Sequence, residues 1–195
     1  MINTIVSIGL CLKGHRSRII LLLLLVLMLG CSKSSKTSFH TNYLKIDINE
    51  QGHIYSMKDL TKPQPRELSP PDKPSPLLTL YNSKVDTLYG PINAVYNRSE
   101  NIVELSYPNN SVAKVKVEPK DKYLKFTLLS LSNREDIEGV QWGAIHTNIS
   151  NLFGEIIGVA RDTSETVNYA LGMLALDDNT LGGTSRTIGD AAPFQ

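Results

Sequence analysis

From Tyr43 onward the apolar residues recur with a period of two. In Leu44-Lys45-Ile46-Asp47-Ile48 the three aliphatic side chains share one face and the two charges the other, which is the pattern of a strand with one dry side. Asn49-Glu50-Gln51-Gly52 reads as a turn and His53 to Met57 as the returning arm, with Gly52 able to take the positive φ that tight hairpins need. Further strands are expected at Leu77 to Tyr81, Ile92 to Tyr96, Ile102 to Tyr107, Ser111 to Val117, Tyr123 to Ser130, Val140 to Thr147, Glu155 to Ala160 and Val167 to Leu176. Two of them alternate cleanly: Ala113, Val115 and Val117 oppose Lys114 and Lys116, and Leu124, Phe126 and Leu128 oppose Lys125 and Thr127. Turn-forming clusters separate the runs, among them Pro108-Asn109-Asn110, Ser132-Asn133-Arg134 and Asp177-Asp178-Asn179.

Between the second arm and the next strand, Lys62 to Pro76 holds six prolines. Each removes an amide donor, so this stretch is expected to cross the surface as an irregular or extended connection. Ser150 to Phe153 reads as a single helical turn, and no run offers an amphipathic helix of ordinary length. The fold expected over residues 43–195 is therefore all-β, an antiparallel β-sandwich. Its apolar strands run out before a closing element, so the sandwich reads as incomplete at its carboxyl end, the amino-terminal part of a larger protein.

The amino-terminal pattern is of another kind. Lys13, His15, Arg16 and Arg18 precede the unbroken apolar run Ile19 to Leu29, and Gly30-Cys31 and the polar run Ser32 to Ser38 follow. A cationic lead and an apolar core make a secretory signal, because the charged end stays on the cytoplasmic side as the core enters the bilayer. At about 1.5 Å per helical residue the run covers roughly 17 Å of a hydrocarbon layer about 30 Å thick, too little to span. Residues 1–30 are thus expected to be a signal peptide, and residues 31–42 a flexible tether of small hydroxyl and lysine side chains.

Composition narrows the chemistry. Cys11 and Cys31 are the only cysteines, so the body beyond Cys31 has none with which to close an internal disulfide and must be held by a core. A net charge of +1 gives no electrostatic case for nucleic acid. The histidines His40, His53 and His146 lack metal-ligand spacing, and no phosphate loop, nucleophile elbow or calcium-loop spacing occurs, so neither a metal nor another cofactor is expected. Trp142 is the only tryptophan, and Gly143 beside it would let a ligand approach. A tryptophan face can stack on a pyranose, with His146 and the acids Asp136 and Glu138 as polar partners; equally, a single tryptophan in a sandwich can fill the core. Trp142 and His146 are the expected carbohydrate-binding residues, and no catalytic residue is assigned.

Met28-Leu29-Gly30-Cys31 resembles the lipobox of bacterial lipoproteins, with Gly30 and Cys31 matching and Met28 and Leu29 standing where leucine and a small residue are commoner. The resemblance implies a Cys31 that is diacylated on sulfur, cleaved to become the first residue and usually acylated on its new amino group, anchoring the protein by membrane lipid in the cell envelope, at the outer membrane in a Gram-negative cell. The run Ile46 to Asp59, followed by Pro76 to Leu80, resembles the opening hairpin of a galactose-mutarotase-like β-supersandwich, a domain that accompanies glycoside hydrolase and polysaccharide lyase catalytic domains. Together they imply an anchored lipoprotein whose sandwich is a carbohydrate-associated accessory domain of a glycan-processing protein, with any catalysis in a further domain. The other reading is a non-catalytic envelope lipoprotein that binds a protein or glycan or serves a structural role.

Overall fold

The computed structural model describes residues 36–149, 151–153, 158–161 and 170–180, all within the unit Ser35–Gln195. Cys31 and the apolar run before it lie outside the described residues. Those that are described contain no helix and form antiparallel sheets, as the period-two pattern requires.

The first sheet orders β1 (Thr37–His40), β2 (Leu44–Ile48), β3 (His53–Asp59) and β4 (Arg66–Glu67), with β5 (Ser75–Pro76) also pairing with β3. The second runs β11 (Leu124–Ser132), β10 (Val112–Pro119), β9 (Ile102–Ser106) and β8 (Asn93–Asn97). A third places β6 (Leu78–Asn82) between β12 (Ile137–Trp142) and β7 (Thr87–Tyr89). The last is β13 (Asn151–Phe153), β14 (Gly158–Arg161) and β15 (Ala170–Met173).

The dry faces meet in one core. Phe39, Ile46, Ile48, Ile54 and Met57 come from the first sheet, Val103, Leu105, Ala113, Val115 and Val117 from the second, and Leu78 and Leu80 from the third, all buried in a single cluster. This is the sandwich arrangement that the alternation predicts. Edge-to-face packing of Phe39 on Tyr96, with ring centroids 5.0 Å apart, joins β1 to β8. Tyr107 ties the second sheet to the third by donating its hydroxyl to the Leu78 carbonyl at 3.0 Å.

Several segments differ from the sequence expectation, among them β12, which runs from Ile137 to Trp142 where a strand from Val140 to Thr147 was expected because the backbone turns at Gly143 and Ala144, and β7, which was not expected. Thr37–His40, expected inside the tether, pairs along its full length with β2 and buries Phe39, so the sandwich begins before Tyr43. Asn151–Phe153 is an extended strand rather than part of a helical turn, because its backbone pairs with β14. The proline-rich connection does more than cross the surface. Leu68 is wholly buried, and Glu67 accepts hydrogen bonds from the Ser56 hydroxyl at 2.7 Å and the Met57 amide at 2.9 Å, pinning the crossing to β3. Prolines at Pro65 and Pro70 flank this contact and leave its donors free to bond.

Candidate functional site

The third sheet has a solvent face, and the register defines it. On β6, Leu78 and Leu80 point into the core while Tyr81 is half-exposed between them and the turn. Tyr81 stands opposite Leu88 on β7 and Gly139 on β12, so these three form one cross-strand row on the outer side, with Gln141 two residues further along β12 on the same side. Leu88 is half-exposed to water in spite of its apolar side chain.

Around this row lies an open trough of about 450 Å³ lined by Tyr81, Asp86, Leu88, Gly139, Val140 and Gln141, within the ~300–1,000 Å³ of small-molecule sites. Its floor is bare. No heavy atom lies within 4 Å of the position a Cβ on Gly139 would occupy, so the Tyr81 ring does not lean over the glycine. The glycine follows a register irregularity between Ile137 and Gly139, the place where a strand bends and re-aims its side chains.

One wall is a built turn. Asn82 Oδ1 accepts from the Lys84 amide at 3.0 Å and the Val85 amide at 3.2 Å, an Asx turn that closes the hairpin between β6 and β7. Asp86 then takes a φ of 50°, a left-handed conformation that Asp tolerates better than most residues. This aims its carboxylate back across the strand, where Oδ1 accepts a hydrogen bond from the Tyr81 hydroxyl at 2.9 Å. That bond, with the Asp86 charge, pushes the Tyr81 phenol above its ordinary range, and the Glu138 charge adds to the shift. The phenol therefore stays a neutral donor, and Asp86 keeps its second oxygen for other partners. Among the described residues the Gln141 side-chain amide takes no hydrogen bond; the Thr79 hydroxyl donates to the Gln141 main-chain carbonyl at 3.4 Å.

The expected residues lie elsewhere. Trp142 alternates with Gln141 and so turns to the core side of β12, where its ring meets Phe126 at a centroid distance of 6.2 Å. Gly143 and Ala144 follow with φ of 79° and 70°, which ends the strand; a Cβ on Gly143 would lie 2.7 Å from Ile145 Cγ1. His146 comes after this reversal, its backbone amide held by the Ser75 hydroxyl at 2.8 Å. Burial and then the Lys73 charge push its imidazole below the ordinary histidine range, which favours the neutral ring. The acids stand at the start of β12, with Glu138 about 13 Å along the strand from Trp142. There Asp136 pairs with Lys84 at 3.4 Å, and the Glu138 charge acts on the Tyr81 hydroxyl only as the smallest of several influences. The structure instead joins Tyr81 and Asp86, two residues the sequence reading did not single out.

Asp177 behaves as turn chemistry suggests, accepting from the Asn179 amide at 2.9 Å and the Thr180 hydroxyl at 3.0 Å. No group of three metal-ligating side chains occurs among the described residues. Compared with known proteins, the chain matches no family model, no curated protein and no solved structure.

Proposed function

We propose that this is a bacterial envelope lipoprotein, held to a membrane by acyl chains on Cys31, whose β-sandwich serves as a carbohydrate-associated accessory module. The observation that carries the reading is the order of segments: a cationic lead, an apolar run too short to span, Gly30-Cys31, and a folded strand starting at Thr37. From Cys31 to Thr37 the chain can reach about 20 Å at full extension, so the sandwich would work close to the headgroups. Each buried methylene contributes about 0.8 kcal/mol, and with two or more chains release from the membrane becomes negligible. Carbohydrate is favoured as the ligand by the similarity of the Ile46 to Asp59 hairpin to the supersandwich domains that accompany glycan-processing enzymes.

Cys31→Ser removes the thiol that would be acylated. The variant is expected to keep its signal uncleaved or to appear in the soluble fraction, whereas the wild type partitions with membranes and its amino-terminal peptide carries the mass of added acyl chains. Normal processing and unchanged membrane retention of the variant would refute the anchor.

A further inference from the structure

We propose that the trough on the third sheet is a glycan-binding site, with Tyr81 as the stacking surface and Asp86 and Gln141 as the hydroxyl partners, and that it takes neutral pyranosyl sugars rather than uronates or sulfated ones. The inference rests on the carbohydrate reading above and deepens it by naming a place and a ligand class.

The argument is one of complementary surfaces. A pyranose has a face of C–H groups and a rim of hydroxyls, so it needs an apolar plane with oriented acceptors at its edge. Tyr81 and Leu88 supply the apolar plane on neighbouring strands. Asp86 supplies a carboxylate whose direction is already fixed by the Tyr81 hydroxyl and by the Asx turn, so little ordering is left for the ligand to impose. Gln141 supplies an uncommitted amide able to donate and accept. Gly139 matters by what it lacks, since any side chain there would enter the open space on the strand beside Tyr81.

Charge sets the ligand class. Asp86 lines the trough with its carboxylate on the Tyr81 hydroxyl, so the trough carries negative charge, and the lysine of the same hairpin, Lys84, is already engaged by Asp136. A sugar carboxylate or sulfate would face like charge, whereas a neutral hydroxyl donates to Asp86.

The test uses the full chain purified in detergent, so that it reads the trough whether or not Cys31 is acylated. Neutral oligosaccharides (α- and β-linked glucans, mannan, galactan and N-acetylglucosamine oligomers) and anionic ones (polyuronates and sulfated galactan) are screened, and the best binder is titrated calorimetrically. Neutral chains are expected to bind and anionic ones not. Tyr81→Ala and Asp86→Asn are each expected to weaken binding by about tenfold or more. The decisive variant is Gly139→Val. Its side chain enters open space, and β-branched residues suit a strand better than glycine, so the melting temperature should hold or rise while binding is lost. Trp142→Phe should bind as wild type. Failure of every glycan in the panel, neutral and anionic alike, to bind would overturn both the trough and the carbohydrate reading. Neutral binding unaffected by Tyr81→Ala, Asp86→Asn and Gly139→Val, or lost only in Trp142→Phe, would overturn the trough alone, and preferential binding of polyuronates would overturn the ligand class.

Discussion

Tyr107→Ala is expected to lower the unfolding free energy by about 3–5 kcal/mol, the range for deleting a large buried aromatic. Tyr107 is 2% exposed and follows β9, so its ring fills the junction between the second and third sheets. Its hydroxyl reaches the Leu78 carbonyl at 3.0 Å, which makes it both a packing element and a polar tie. Tyr107→Phe keeps the ring and removes the tie, and should cost about 1–3 kcal/mol, a smaller loss than the alanine change. Denaturant unfolding of the three proteins measures both differences.

Tyr107 also sets an alkaline limit. Burial holds its phenol well above the ordinary tyrosine range, so the folded state keeps a proton that the unfolded chain releases. The folded value is raised above the unfolded one, so its contribution is intact below the unfolded value of about 10 and is lost as the pH climbs beyond it. Stability of the wild type should therefore fall more steeply above about pH 10 than that of Tyr107→Phe. Parallel slopes would place the alkaline loss on other groups.

The strands that were legible in the sequence are those with one wet face and one dry one. Val112–Pro119 is the clear case, burying every second residue because it covers the shared core from one side. Leu44–Ile48 alternates in sequence, yet its polar-face Asp47 is buried as well, taking the Ser38 hydroxyl and pairing with Lys45. β1 was hidden because its only large apolar residue is Phe39, and one residue has no period. Thr, Ser and His around it suit a tether as well as they suit an edge strand, and only the pairing with β2 decides. β7 is three residues long, too short for alternation, and it exists because β6 offers it a partner. β4 and β5 are two-residue bridges among prolines, fixed by where β3 lies.

The trough was harder to read for a similar reason. Tyr81 and Gly139 belong to distant parts of the chain and become neighbours only through the register of β6 with β12. A local signal was nonetheless present. A glycine directly before the strand expected from Val140 is where a bulge or a close approach of some other group can begin, once the strand is extended back to Ile137. Trp142 drew attention by its rarity, yet strand parity sends it inward, while the less conspicuous Tyr81 has the open face beside it.

Gly52→Ala should be nearly as damaging as the loss of Tyr107, for a reason that lies in the backbone as much as in the core. Gly52 closes the turn between β2 and β3 at a φ of 85°, donating to the Asn49 carbonyl at 3.0 Å and accepting from the Leu77 amide at 3.0 Å. A side chain in that left-handed region costs about 1–2 kcal/mol before any contact is considered. The added methyl would also lie 2.6 Å from Leu105 Cδ2, closer than real contacts allow, and a tight 3.2 Å from Pro91 Cγ, and overpacking of this kind costs about 1–3 kcal/mol. The two parts can be separated. Leu105→Ala alone should cost about 2–5 kcal/mol as a cavity at a fully buried site. In the Gly52→Ala/Leu105→Ala pair the clashing methyl group is gone and the new Cβ partly fills the hole, but the backbone conformation is unchanged. The double variant should therefore be more stable than the sum of the single losses by about 1 kcal/mol, within the range for touching residues. Urea unfolding of the four proteins gives this coupling directly; strict additivity would mean that the penalty at Gly52 resides in its φ and in the Pro91 contact, and not in the contact with Leu105.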